Sequence, residues 1–284
     1  MCLIAFAIGM SPSRPLIIAG NRDEFFDRPT DPLRRWTTPA RQQEIWSGRD
    51  LKDGGTWLGA AANGRVAMLT NVRGASEKRA RRSRGQLPLR WLQGDLDWPG
   101  MVAGIVAGDY AGFNLVVGDF HRDVWGWVGN RPPEAPHEDC PPKLHHRLLS
   151  PGVYSLSNAV LDTPWPKTQR LAHAMRMSVE QSAFDAERTL TQALADSGLA
   201  AASELPRTGV PEAAERALSS AFVHIPERHY GTRSSLLLRV DLQGSAALRH
   251  WRVQMDEWTH APPAEQHQIH RWSDRQKVSE SLAW

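Results

Sequence analysis

Short apolar runs punctuated by turn residues dominate the first half of the chain. Leu3-Ile4-Ala5-Phe6-Ala7-Ile8 and Pro15-Leu16-Ile17-Ile18-Ala19 flank Gly9-Met10-Ser11-Pro12-Ser13. Runs of this length bounded by Gly, Pro and Ser predict a buried hairpin. Its second strand is expected to end at Gly20-Asn21-Arg22-Asp23-Glu24, and antiparallel pairing then delivers that polar cluster close to the start of the first strand. Gly54-Gly55-Thr56-Trp57-Leu58-Gly59 and Arg65 to Asn71 form a second hairpin around Asn63-Gly64. Phe113 to Asp119 and Arg122 to Val128 form a third, with His121 near the turn. Val153 to Ser157 leads into Asn158, which like Asn71 falls at a strand end.

Helical spacing follows in Trp165 to Gln181, Ala183 to Asp196 and Pro211 to Phe222. Ser234 to Val240 and Ala246 to Val253 return to strand character, and the tail from Pro262 carries no readable element. The order strands, helices, strands, rich in hairpins, predicts an α+β fold of two stacked, mostly antiparallel sheets flanked by helices. With no internal repeat or low-complexity linker, one domain is expected over 1–260, followed by a polar tail over 261–284.

Composition narrows the class. The 284 residues are 41% hydrophobic and 23% charged, the ordinary globular range. A net charge of +3 spread along the chain gives no concentrated basic face, so nucleic acid is not an expected partner. The opening apolar run lacks the basic start and cleavage pattern of a signal peptide. No run approaches the roughly 20 apolar residues of a spanning helix, so integral membrane insertion is not expected. Only two cysteines occur, Cys2 and Cys140, which argues against a disulfide framework and for a reducing, cytoplasmic setting. Neither paired-cysteine zinc spacing nor a phosphate-binding glycine loop is present.

The candidate chemistry centres on Cys2. Removal of Met1 would put a thiol and an α-amine on one carbon; with pKa values of about 8.5 and 7.7–8.0, the amine can take the thiol proton near neutral pH. Such a nucleophile needs an acceptor to orient the amine, donors for an oxyanion and a nearby cation. Asp23, the amides of Asn71 and Asn158, and Arg233 in Tyr230-Gly231-Thr232-Arg233-Ser234 supply these in turn. Taken singly, each has a structural reading: Cys as a small buried hydrophobe, Asn as a turn residue, Asp23 paired with Arg22 or Arg28, Arg233 solvated. The set carries the argument.

Asn21-Arg22-Asp23-Glu24 after an N-terminal Met1-Cys2 resembles the NRDE family, also called the transport and Golgi organization protein 2 family. Gly54 to Gly59, Val66 to Asn71, Ser83-Arg84-Gly85, Leu156-Ser157-Asn158 with Asp162 to Lys167, and Tyr230 to Ser234 look like that family's blocks in order. The resemblance implies an N-terminal-nucleophile hydrolase fold, a four-layer αββα sandwich, related to choloylglycine hydrolases and acylases that cleave amide bonds of acylated small molecules. It implies Cys2 as nucleophile, Asp23 as orienter of its amine, Asn71 and Asn158 on the oxyanion side and Arg233 as cation. Asn21, Arg22, Glu24, Trp57 and Arg84 are the implied ligand-binding residues. Those hydrolases carry an arginine three residues before the aspartate; here that position is Gly20, and Arg22 immediately precedes Asp23.

The resemblance also implies a second class of function, haem trafficking or lipid and acyl-CoA metabolism by a protein that binds without turnover. Haem would need basic residues for its propionates and an axial ligand, for which Cys2, His145, His146 and His224 are candidates. The run Lys78 to Arg84 reads as a solvated loop able to meet an anionic group. Trp125 and Trp127 share one strand face and are expected to pack between sheet and helix; Cys140, in a Pro-rich stretch, is expected to be a bystander.

Overall fold

The computed structural model describes residues 2–38, 40–74, 80–138, 140–243, 250–260 and 276–284. Strand β1 (Cys2–Ile8) pairs antiparallel with β2 (Leu16–Phe25) in a register running from Cys2↔Arg22 to Ile8↔Leu16. Gly9, at φ 64°, makes the turn between them and its N–H meets the Pro15 carbonyl at 2.7 Å. The expected hairpin therefore forms, but β2 does not stop at Gly20. It continues through the polar cluster because β12 (Tyr230–Gln243) supplies ladder partners as far as Phe25↔Tyr230.

Next in the chain come β3 (Thr30–Thr37), β4 (Glu44–Asp50), β5 (Leu58–Ala61), β6 (Arg65–Asn71), β7 (Phe113–Asp119), β8 (Val124–Gly129) and β9 (His145–Leu148). They make one antiparallel sheet in sequential order, a meander. The other sheet has the order β10 (Gly152–Leu156), β1, β2, β12, β13 (His250–Thr259) and β14 (Gln276–Ala283), with β11 (His224–Ile225) on β12. Every described pairing between strands is antiparallel.

Alternation along the strands builds the layers. Cys2, Ile4, Phe6, Leu16 and Ile18 meet Met68, Val116, Trp125 and Trp127 between the sheets. Leu3, Ala5, Ala7, Ile17 and Ala19 face helices α3 (Pro166–Ser178) and α4 (Ala183–Leu194) through Leu171, Met175, Leu190 and Leu194. The far face of the second sheet, with Ile45, Ala67, Leu115 and Val117, is covered by α1 (Gln86–Leu92) and α2 (Trp98–Ala103) through Leu87, Trp91 and Met101. The result is the expected four-layer αββα sandwich. Each buried Val, Leu, Ile, Phe or Met among these residues contributes about 1.5–3 kcal/mol.

Several local expectations are corrected. Trp125 and Trp127 pack between the two sheets, not between sheet and helix. The region read as a polar tail contains β14, which extends the sheet along the edge of β13 from Thr259↔Gln276 to Arg252↔Ala283. As an edge strand it has polar positions in contact with water, which hid it; Trp284 ties its end to β5 by donating to the Ala61 carbonyl at 2.8 Å. The third expected helix shortens to α5 (Glu212–Ala217). Of the strand expected over Ala246 to Val253, residues 246–249 lie outside the described residues, as do Met1 and Lys78-Arg79.

Candidate functional site

Directly opposed residues in an antiparallel ladder project to the same side. Cys2 and Arg22 are such a pair, and both point between the sheets. The thiol is buried, and the Arg22 guanidinium lies 4.3 Å from the ring centroid of Trp57. Trp57 can reach that position because β4 has Gly48 there; a Cβ would sit 2.3 Å from the indole. Arg22 is also 3.9 Å from Asp50 and 4.0 Å from Glu24, while Arg28 holds Asp50 and Asp53 at 2.7 Å each. Burial pushes the Cys2 thiol up from its ordinary value, and Arg22 works against that rise.

Asn21 and Asp23 project to the other, helix-facing side. Asn21 donates to the carbonyls of Leu194 and Ala221 at 2.8 Å and accepts from Ser235 Oγ at 2.6 Å, so its amide ties the helix layer to the sheet. Asp23 Oδ1 accepts from Thr232 Oγ1 at 2.7 Å; Thr232 Oγ1 in turn accepts from the Val223 N–H at 2.9 Å. Tyr230 donates its hydroxyl to the Asp23 carbonyl at 3.1 Å. Burial raises the Asp23 carboxyl, and the strongest opposing charge is the ammonium of Lys167. Burial lowers Lys167 itself to about 8; its Nζ donates to the Leu218 carbonyl at 2.9 Å.

A third group closes the end of β1. Ser157, just past β10, donates to the Cys2 carbonyl at 3.1 Å. Asn158 Nδ2 donates to the Asn71 carbonyl at 3.0 Å, joining the ends of the two sheets. Arg73 then threads across: its N–H donates to the Asn158 carbonyl at 2.8 Å and its Nη1 to Glu215 Oε2 at 2.5 Å. Glu215 Oε1 accepts from the N–H and hydroxyl of Thr208 at 2.8 and 2.5 Å.

The structure thus brings Cys2, Arg22, Asp23, Trp57, Asn71 and Asn158 to one end of the sandwich. The others are spent on local contacts. Arg233 spends Nη1 on the carbonyls of Phe25, at 3.1 Å, and Arg28, clamping the turn after β2 where the charges of Arg22, Glu24 and Asp50 act on it, and Arg22 is a side-chain cation that lowers the thiol. Arg84 donates to the Gly112 carbonyl at 3.0 Å, and Glu24 Oε1 accepts from the Phe25 N–H at 2.9 Å. From the basic run, Arg81 and Arg82 reach Asp109 at 3.8 and 3.6 Å on the surface. His145 and His146 stand on the β9 edge and His224 in β11, none on β1 or its neighbours.

Sequence reasoning assigned no role to Lys167, Arg73, Glu215, Thr232, Ser157 or Glu257. Glu257 on β13 accepts the Leu33 N–H of β3 on Oε2, and Oε1 lacks a hydrogen-bond partner among the described residues. Burial raises its carboxyl. One signal was available for Lys167: a cation two residues after Trp165, at the start of a helix where acidic residues are the favoured choice.

Two sheets enclosed by helices, with a thiol at the start of an inner strand and a charged cluster in the strand beside it, define an αββα protein with a cysteine-centred site. The chain belongs to the family Transport and Golgi organisation 2, whose sequence profile matches residues 1–253. Relatives include the Bos taurus Transport and Golgi organization protein 2 homolog, 32% identical over 266 residues, covering 86% of this chain and 90% of that one. The Homo sapiens homolog is 32% identical over 286 residues, covering 91% and 99%. Similar solved structures include a Caenorhabditis elegans N-acylethanolamine-hydrolyzing acid amidase ortholog, with a TM-score of 0.48, 10% identity and coverage of 84% and 92%. Another is a mutant conjugated bile acid hydrolase from Clostridium perfringens, with a TM-score of 0.45, 8% identity and coverage of 84% and 88%.

Proposed function

We propose that this protein hydrolyses an amide or other acyl bond of a small amphipathic molecule, with Cys2 as nucleophile once Met1 has been removed. The observation that carries this reading is the division of labour across one sheet: Cys2 and Arg22 on the inner face, Asp23 behind them. The thiol sulfur attacks the acyl carbon while its proton passes to the α-amine. Collapse of the tetrahedral species breaks the C–N or C–O bond, and the leaving group takes that proton. Water then attacks the thioester, giving the acid and restoring the thiol. Asp23 accepts an N–H of the amine, and the Asn158 amide, one N–H of which goes to the Asn71 carbonyl, offers its second to the developing oxyanion together with Asn71.

Arg22 supports the reading in a second way. A side chain at position 20 would meet the Leu3 carbonyl at 3.1 Å and Ile4 at 3.2 Å, so an arginine there would fit only if these neighbours gave by a few tenths of an ångström. Position 22 is two residues further along the same face, roughly 6.5–7 Å away. The cation expected before the aspartate is thus supplied one step nearer the strand end.

Binding of haem or an acyl lipid without turnover is the competing reading. Arg22 and Arg28 already meet Glu24, Asp50 and Asp53, so an anionic ligand there competes with those carboxylates. Among the described residues no helix is long and apolar enough to cross a membrane. Both cysteines are free thiols, in keeping with a reducing cytoplasm.

Intact-mass measurement with N-terminal sequencing tests the first requirement, a chain beginning at Cys2. A panel of N-acyl amines and acyl esters tests the second: wild type releases the amine or alcohol, and Cys2→Ala does not. A Cys2→Ala protein that hydrolyses the panel as fast as wild type ends the proposal. Release by neither protein, with acyl-lipid binding by both, favours a carrier.

A further inference from the structure

Lys167 is a buried ammonium that the chemistry above does not use. It is the second residue of α3, behind Trp165 and Pro166, so it stands at the positive end of a 13-residue helix, where a cation is unfavourably placed. It is 2% exposed, and a buried cation persists only against a compensating charge. The charged and titratable groups acting on it are Asp23 on β2, Arg73 after β6, Cys2 on β1 and Glu215 on α5, with Asp23 the strongest. Glu215 is already engaged by Arg73 at 2.5 Å, and Lys167 is in turn the largest charge acting on Asp23.

The sheet decides what Lys167 can reach. Asp23 and Thr232 face the helices, while Cys2 and Arg22 face the other sheet. The strand plane separates the Asp23 side from the thiol side, and Asp23 is the strongest charge acting on Lys167, ahead of Cys2. We propose that Lys167 is a positioning residue of the thiol site: its ammonium holds Asp23 as a carboxylate, the form that accepts an N–H from the Cys2 α-amine. The proposal rests on the reading of Cys2 as an N-terminal nucleophile. Burial brings Lys167 to about 8, so its ammonium is present at neutral pH, where it favours the Asp23 carboxylate.

Carboxyl-carbon NMR titration of Asp23 in the full chain, in wild type, Lys167→Met and Lys167→Arg, reads this without a substrate. Lys167→Met is expected to raise the Asp23 midpoint by at least a pH unit, a tenfold change in proton affinity, and Lys167→Arg to restore it. An unchanged midpoint in folded Lys167→Met overturns the proposal. If Lys167→Met does not fold, Asp23→Asn is read at the Lys167 ammonium nitrogen. Coupling is reciprocal, so its midpoint should fall by a unit, and no change is again fatal. In hydrolysis, Lys167→Met should move the acid limb of the pH profile up by about a pH unit, a tenfold loss below that limb, with rescue by arginine. Hydrolysis that depends on Cys2 but ignores Lys167 at every pH sinks the positioning role and leaves the nucleophile standing. If Cys2→Ala retains full hydrolysis, the parent reading fails and the Asp23 titration still decides the charge coupling.

Discussion

Cys2 and Arg22 stand opposite each other in the β1–β2 ladder, and Asp23, one residue on, leaves the far side of the sheet. The site is therefore two-sided. The thiol and the guanidinium face the layer between the sheets, whereas the carboxylate is held on the helix side of the strand.

Replacing Cys2 by Ala removes one buried sulfur from the inter-sheet layer. Stability is expected to fall by about 1 kcal/mol, measured by urea unfolding, while acyl-enzyme formation, read as a mass increment on the first peptide, disappears. Persistence of the increment on that peptide would exclude the thiol as its site.

Arg22→Gln keeps hydrogen-bonding capacity but removes one of the positive charges that lower the Cys2 thiol. The thiol should titrate higher, and its alkylation at pH 7 should slow by several-fold. Loss of the contact with Trp57 costs about 0.5–2 kcal/mol. An unchanged alkylation profile in folded protein would remove Arg22 from the thiol's environment.

Glu215→Ala strands Arg73, whose side chain is 4% exposed. Leaving one buried charge uncompensated is expected to cost about 3–5 kcal/mol. A double variant, Arg73→Met with Glu215→Met, should recover much of that loss in chemical denaturation. Equal loss in the single and double variants would show that the ion pair is not the source.

Glu257 gives a pH test. Burial holds its carboxyl above the ordinary value of about 4.3. The folded chain then binds that proton more tightly than the unfolded one, so the contribution to stability is fully present below the ordinary value and is lost as pH rises through the folded value. Glu257→Gln stays neutral and still offers an oxygen to the Leu33 N–H. It is expected to have a higher Tm than wild type at pH 7, with the advantage shrinking toward pH 4. A constant difference across that range would contradict the assignment.

The hairpins, the alternation of β1 and β2 and the strand-end positions of Asn71 and Asn158 were legible in the chain, because strand periodicity and turn chemistry are local. So was the gathering of Cys2 with the polar cluster, since hairpin pairing fixes it. The length of β2 was not legible: whether polar residues remain in a strand depends on a ladder partner, and β12 lies some 200 residues away. Edge strand β14 was missed for a related reason, although Val278, Leu282 and Trp284 do share one parity.

Sequence alone determined which chemical groups the site contains on β1 and β2, and by parity which of them share a face. Only the tertiary structure decided what stands behind them. Lys167, Arg73 and Glu215 come from a helix start, a loop and a short helix, with Arg73 and Glu215 142 positions apart. Nothing in their local spacing announces a shared site, because their meeting is fixed by how helices pack on the sheet. A buried charge shows its purpose only when the opposite charge beside it is known.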